Sequence, residues 1–341
     1  MQVPDKNDPF KELLAEQQPD WPRVLAYESF AKTPTEAPKP LIKNLLDCGT
    51  RILFGGGSKT FKTWIQCDLA LSLATGTPWL GFELFKSRVL YVNFELRDYY
   101  MQYRLRSICD ARGIKTPANL FIWNLRGFPI SRSAFCSILL AECRKLAIDI
   151  AFIDPFYKLL TQTEDENSQT DMAAVLRAFD PVNSANISTA FGIHFSKGCQ
   201  ANKEPEDRIS GAGTIARDAD NIITLTKHEE NDAFTLDFII RDHPPIDSFV
   251  VRWDSPVMLR TDLDPAKIKT LGRKESHDPE ELFNLLKEND DKFSKAGFVH
   301  LAIEELGWSR RTVYNKLDCL FNQKRLFTSK LSGFLNVRAA K

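Results

Sequence analysis

From about residue 50 the chain alternates short apolar runs with longer stretches whose apolar residues recur at helical spacing. "RILFGG", "SRVLYVNFE", "NLFIWNL", "IDIAFIDP" and "STAFGIHF" read as five buried strands. Between them, "KTWIQCDLALSLATG", "RDYYMQYRLRSICDARG", "SAFCSILLAECRKLA" and "MAAVLRAFDPVNSAN" read as helices. The first is stopped by a glycine and the last is broken or ended at Pro181. Strand then helix, repeated, predicts a mostly parallel sheet with helices on both faces, an α/β fold. After "ARDADNIITLTK" the rhythm changes. "FTLDFIIRDHPPIDSFVVRWD" predicts antiparallel hairpin material that extends the sheet edge.

The flanks differ from this body. Residues 1–40 end in "KTPTEAPKPL", rich in proline and charge, and read as an arm or linker. Residues 41–261 form the α/β domain, and 262–278 a polar linker. In 279–341, three helical segments precede two short strands, which predicts a small winged helix-turn-helix domain. Charge divides this tail. Residues 278–307 carry eight acidic and three basic side chains, whereas 308–341 carry eight basic ones against Asp318 alone. The basic half holds the expected recognition helix and wing, so Arg310, Arg311, Lys316, Lys324, Arg325 and Lys330 are the candidate phosphate contacts of a DNA duplex.

Composition narrows the classes. The formal net charge is +0, so no global field draws the chain to nucleic acid or membrane, and local patches must do that work. No apolar run is long enough to span a bilayer, and the polar, acidic N-terminus is unlike a signal peptide. Seven scattered cysteines without a C-x-x-C pair suit reduced thiols in a cytoplasm rather than a zinc site.

The chemistry centres on "GGGSKTFKTW", residues 55–64. Counted back from Lys62–Thr63, Gly56 opens a G-x-x-x-x-G-K-[ST] frame after a strand and before a helix. Such a loop wraps backbone N–H groups around phosphate oxygens at a helix N-terminus. Gly56, Gly57, Ser58, Lys59, Thr60, Phe61, Lys62 and Thr63 are its residues here. Lys62 supplies charge and Thr63 a hydroxyl for Mg²⁺, while Lys59 reads as a solvated loop lysine ahead of a contact to phosphate or a neighbouring subunit. Phe61 stands where the second glycine belongs. It keeps its N–H, so the expectation is a negative φ with the ring turned from the phosphates, Gly55 to Gly57 supplying the turn's freedom. Downstream, Asp154 ends an apolar strand, the place for a carboxylate that holds Mg²⁺. Glu95 ends an earlier one, where it can activate a water. His194 ends the strand after Asp154 and can bond a terminal phosphate. Singly, these residues read as a helix cap, an exposed glutamate and a structural histidine.

In this order, "GGSKTFKT", "VLYVNFE", "IAFIDPF", "GIHFSKG" and "DRISGAGTIARDADNIITL" resemble the motifs of RecA-like ATPases, particularly hexameric replicative helicases of the DnaB and plasmid RepA type. The similarity covers roughly residues 40–260. Its most specific part is Arg208, Ser210, Gly211, then Asp218 and Asp220. The resemblance implies a RecA-like P-loop NTPase fold, ATP and Mg²⁺ as cofactors, and a homo-oligomeric ring with ATP between subunits. It implies that two loops, "TQTEDENSQTD" and "KGCQANKEPED", face a channel for single-stranded DNA, and that Arg241 reaches a neighbour's phosphate. The first loop departs from that pattern: Glu164, Asp165, Glu166 and Asp171 would repel a DNA backbone. Two readings follow. One is an ATP-hydrolysing replication protein or helicase-related motor of a plasmid, phage or mobile element. The other is a DNA-binding regulatory or partition-like ATPase whose nucleotide controls assembly. Lys62, Thr63, Glu95 and Asp154 together argue against a core without turnover.

Overall fold

The structure is a computed structural model. It describes residues 24–337 apart from 129, 162, 166–167, 197–199, 201–202, 210–214, 216, 271–277, 290–292, 323–324 and 329–334. The chain divides into two compact units, a larger one of residues up to 196 and 204–266 and a smaller one of 197–203 and the tail from 267.

The larger unit begins with α1 (Tyr27–Lys32), exposed throughout, and a small ladder of β1 (Pro40–Ile42) and β2 (Leu46–Asp47). Then follow β3 (Arg51–Gly56), α2 (Lys62–Thr75), β4 (Val89–Asn93), α3 (Asp98–Arg112) and β5 (Leu120–Asn124). α4 (Arg132–Lys145), β6 (Ile150–Asp154), α5 (Gln169–Arg177), α6 (Asp180–Ser184) and β7 (Ser188–His194) complete the alternating part. Last come β8 (Asn221–Lys227), β9 (Ala233–Ile240), β10 (Phe249–Asp254) and β11 (Val257–Thr261). The nine-stranded sheet runs β11-β10-β9-β8-β3-β7-β6-β4-β5. Strands β8 to β5 in that order pair in parallel, and β9, β10 and β11 extend the edge antiparallel. This is an α/β P-loop NTPase fold with a largely parallel central sheet.

Side chains alternate across the sheet as period-two pleating requires. Ile52, Phe54, Val89, Tyr91, Ile150 and Phe152 enter one apolar layer, which α2 and α3 cover. Leu53, Leu90, Val92, Ala151 and Ile153 enter the other, under α4 and α5. Burial on both faces is why these strands read as unbroken apolar runs. α2 stops at Gly76, whose φ of 74° suits only a residue without Cβ strain. Pro181 falls in the first turn of α6, so the long helical stretch before β7 becomes two helices. The hydrophobic pattern did not mark β1, β2 or β11 as strands.

In the tail, α7 (Pro279–Glu288), α8 (Lys295–Leu306) and α9 (Arg310–Asn322) precede the two-stranded ladder of β12 (Leu326–Thr328) and β13 (Leu335–Val337). Leu282, Leu286, Phe298, Val299, Trp308, Val313, Leu317 and Leu320 form its separate core. Asp278, Ser294 and Ser309 each accept a backbone N–H at the start of their helix, which fixes all three N-termini. Among the described residues no helix is long and apolar enough to cross a membrane.

Candidate functional site

The carboxyl ends of β3, β7, β6 and β4 stand side by side, with Gly56 opposite His194 and Asn93 opposite Asp154 in the register. Loops leaving such an edge converge on one crevice. Lys62, His194, Asp154 and Glu95 therefore come to one place from four separate stretches of sequence.

Lys62 lies on the first turn of α2 and folds back over the loop. Its Nζ donates to the carbonyls of Gly56 (2.7 Å) and Gly57 (2.8 Å) and sits 3.4 Å from His194 Nδ1. Burial pushes the ammonium down to about 8, with Asp154 and Glu95 pulling it back up. The loop is tight: a Cβ on Gly56 would fall 2.7 Å from Thr60 Oγ1 and 3.1 Å from Lys62 Cδ. Thr60, itself buried, donates its hydroxyl to the Gly57 carbonyl at 2.9 Å. Ser58 and Lys59 are exposed at the loop tip, and Thr63 is half-buried on α2.

The expectation for Phe61 is corrected by the backbone. Its φ is 60° and its ψ 23°, in the left-handed region, and Lys59 has φ 58°. Gly55, Gly56 and Gly57 are absent from the positive-φ residues, so the loop gains close approach at Gly55 and Gly56, not left-handed freedom. A side chain in that region costs about 1–2 kcal/mol. The ring packs against the antiparallel edge of the sheet. It stacks on Trp253 of β10 at 4.2 Å and 11° and meets Phe234 edge-on at 5.9 Å. Such a pair contributes about 0.5–1.5 kcal/mol beyond the area it buries, which offsets much of the strain.

Asp154 is buried at the end of β6 and accepts the Tyr91 hydroxyl at 3.0 Å on Oδ2. Burial, and then the Asp154 charge, hold the Tyr91 hydroxyl well above its ordinary range, so it remains a donor. On the next strand, Gly192 leaves room: a Cβ there would fall 2.8 Å from Asp154 Oδ1 and 2.8 Å from Gln66 Nε2. Gln66 is fully buried on α2, and its Oε1 has no hydrogen-bond partner among the described residues. His194 is pushed below its ordinary range by burial and then by the Lys62 charge, against Asp154. That direction favours the neutral imidazole, and with Nδ1 accepting from Lys62 the ring proton sits on Nε2.

Glu95 lies two residues beyond β4 rather than ending it. Asn93 Oδ1 accepts the N–H groups of Glu95 (3.2 Å) and Leu96 (2.8 Å), forming a turn that leaves the Glu95 carboxylate exposed. The site thus combines an ammonium, a buried carboxylate, an exposed carboxylate, a neutral imidazole and a helix N-terminus. Their chemistry fits a magnesium–nucleoside triphosphate, with Gly56 to Thr63 around the phosphates and Thr63 and Asp154 able to hold the metal.

Other candidates lie apart from this constellation. Arg241 follows β9 and donates to Asp220 Oδ1 at 3.0 Å and to the Arg217 carbonyl; its side chain is 48% exposed. Its partner is thus Asp220, not the Asp242 or Asp237 that adjacency offers. Asp237 instead takes Arg208, which is buried and also donates to Thr226 Oγ1 at 3.1 Å. Asp220 additionally accepts the Arg51 N–H, and the Asp218 carbonyl accepts Arg51 Nη1. Ser210 and Gly211 lie outside the described residues. In the acidic loop, Arg132 Nη1 grips both oxygens of Glu164 at 2.9 Å. Burial pushes that carboxyl up, but the Thr161 N–H and Arg132 outweigh it and hold it low.

In the tail, Arg310 and Arg311 are exposed at the start of α9. Two other candidates are less open to a ligand than that pair. Lys316 is only 7% exposed, because its turn of α9 faces the tail's own core. Arg325 is committed to Glu280 through two bonds and lies over the Phe283 ring at 3.9 Å. Lys324 and Lys330 lie outside the described residues.

Sequence reasoning missed Tyr91, Gln66, Gly192 and Trp253. Only Tyr91 left a signal, a hydroxyl within an otherwise apolar strand. No curated protein matches the chain. A family model described as the AAA domain matches residues 18–200, more than half of the sequence and all of the crevice from the glycine loop to His194. The chain belongs to the AAA domain family, whose P-loop fold makes it an ATP-hydrolysing enzyme.

Proposed function

We propose that this ATPase is an oligomeric DNA replication protein of the helicase-related kind, with a winged-helix tail that binds duplex DNA. Gly56 to Thr63 hold the phosphates, Thr63 and Asp154 hold Mg²⁺, Glu95 orients and deprotonates the attacking water, and His194 bonds the terminal phosphate. The observation that carries the DNA reading is the Arg310–Arg311 pair, exposed at the N-terminus of α9, where the helix dipole also favours phosphate. The clamp of Arg132 on Glu164 adds support, because it neutralises one of the four carboxylates that set the first loop against a DNA backbone.

A second reading keeps the tail and drops the motor: a regulatory or partition-like ATPase whose nucleotide controls assembly. The engagement of Arg241 by Asp220 and the Arg217 carbonyl favours it, because a trans arginine must be free to reach a neighbour. Strand displacement on forked DNA separates the two. ATP-dependent unwinding that disappears in Lys62→Ala supports the motor. Steady ATP turnover and duplex binding without displacement supports the regulator. In either case Glu95→Gln is expected to bind ATP and lose hydrolysis; unchanged turnover would remove Glu95 from its role.

A further inference from the structure

The left-handed residue in the phosphate loop is held by a partner far away in sequence. Phe61 is the last residue before α2, and its carbonyl accepts the Ile65 N–H at 3.1 Å, the first bond of that helix. Its dihedrals therefore set the direction in which α2 leaves the loop and the place of Lys62, the next residue. Glycine would reach φ 60° without cost; phenylalanine does not. What opposes its relaxation is the face-to-face stack on Trp253. Trp253 is itself fixed from several sides. Its backbone N–H donates to the Asp232 carbonyl at 2.7 Å, and it pairs with Met258 in the β10–β11 ladder. Its ring also meets Trp64 of α2 at 5.3 Å, and Arg104 of α3 lies over Trp64 at 4.9 Å.

We infer that Trp253 is a positioning residue for nucleotide binding: its indole holds Phe61 in the left-handed conformation and so keeps the loop N–H groups and Lys62 aimed at the phosphates. The antiparallel edge of the sheet thereby supplies the conformational support that a glycine supplies elsewhere in such loops. Trp253 acts through Phe61, without touching the nucleotide. This rests on the phosphate-loop reading proposed above.

The test is a double-mutant cycle on the full chain, read by MgADP affinity and by the KM and kcat of ATP hydrolysis. Trp253→Ala is expected to weaken MgADP binding at least tenfold and to raise KM in proportion, with kcat changed less than threefold. Trp253→Phe, which keeps an aromatic face, is expected to return affinity to within threefold. In a Phe61→Gly background, Trp253→Ala is expected to cost less than twofold, because glycine needs no support. Trp253→Leu repeats the cycle with apolar bulk retained, so that loss of the stack is read in a folded protein. An equal loss in both backgrounds, or no loss in either, overturns the inference. Lys62→Ala is measured alongside: unchanged MgADP affinity there overturns the phosphate-loop reading itself.

Discussion

Tyr91 of β4 donates its hydroxyl to Asp154 Oδ2 at the end of the neighbouring strand β6. A buried carboxylate aimed in this way is held on one oxygen by the tyrosine, and its other oxygen, Oδ1, faces the missing side chain of Gly192. The position that admits no Cβ is thus as much a part of the carboxylate's geometry as the tyrosine that binds it.

Gly192→Ala tests this directly. The added Cβ would fall 2.8 Å from both Asp154 Oδ1 and Gln66 Nε2. Neither neighbour moves freely, since Asp154 is bonded to Tyr91 and Gln66 is fully buried. Overpacking of this kind costs about 1–3 kcal/mol. The expected result is a folded protein with a modestly lowered Tm and an Mg²⁺ requirement for ATP turnover raised at least tenfold. An unchanged Mg²⁺ titration would show that Asp154 is not held in place by this packing.

Lys62 predicts a pH dependence of binding. Its ammonium titrates at about 8 in the folded protein, mainly through burial. Above that pH Lys62 is neutral and the Asp154 and Glu95 carboxylates stand uncompensated in the empty site, so a phosphate ligand must recruit a proton to Lys62 to bind. MgADP affinity is therefore expected to fall between pH 7 and pH 9.5. Calorimetry in buffers of different ionisation enthalpy is expected to show proton uptake approaching one at the upper end. The stability of the ligand-free protein moves the other way. The folded pKa lies below the ordinary lysine value of 10.5, so the unfolded chain binds more protons between about 8 and 10.5. The Lys62 contribution to stability therefore rises with pH through that window, and Lys62→Met is expected to remove the rise. A pH-independent MgADP affinity would mean that Lys62 stays charged throughout.

Arg208 predicts a stability effect. It pairs with Asp237 in a buried setting where Thr224 donates to Oδ2 at 3.1 Å and Ser248 donates to Oδ1 at 2.7 Å. Removing the arginine strands a buried carboxylate, so Arg208→Met is expected to cost about 3–5 kcal/mol in urea unfolding. The double variant Arg208→Met with Asp237→Leu is expected to recover much of that loss. If the single variant unfolds like the parent protein, the pair is not a structural anchor.

The contrast between Arg208 and Lys62 shows what the sequence could reveal. Lys62 was legible because its role depends on local spacing, a strand, a glycine loop and a helix in succession. The alternating fold was legible for a related reason, since strands buried on both faces leave apolar runs that helices interrupt. The support of Phe61 by Trp253 was not legible, because the αL strain and its compensation are far apart along the chain and meet only through the β10–β11 hairpin. The same holds for Arg241, which adjacency would pair with Asp242 but which the β8–β9 register brings to Asp220. In the tail, charge counting located a basic segment but could not separate a lysine on the buried side of α9 from arginines on its exposed start.

That separation makes the tail prediction sharper than the charge pattern alone. Arg310 and Arg311 are exposed, whereas Lys316 is buried and Arg325 is engaged by Glu280. Removing one cation that neutralises a phosphate reduces the slope of log K against log salt by about 0.9. Reversing Arg310 and Arg311 to Glu in the full chain is expected to abolish detectable duplex binding at physiological salt. The milder Arg310→Ala with Arg311→Ala should lower the salt slope by about 2. Arg325→Ala is expected to leave the salt slope unchanged and instead to loosen the tail, since its loss frees Glu280 and uncovers Phe283. Lys316→Ala should likewise act on tail stability rather than on the salt slope. If duplex affinity survives the double reversal, the basic half of the tail recognises something other than a phosphate backbone. If instead Lys316→Ala changes the slope, the DNA face lies on a different side of α9 from the one its exposed arginines mark, and if Arg325→Ala does, that face extends beyond α9.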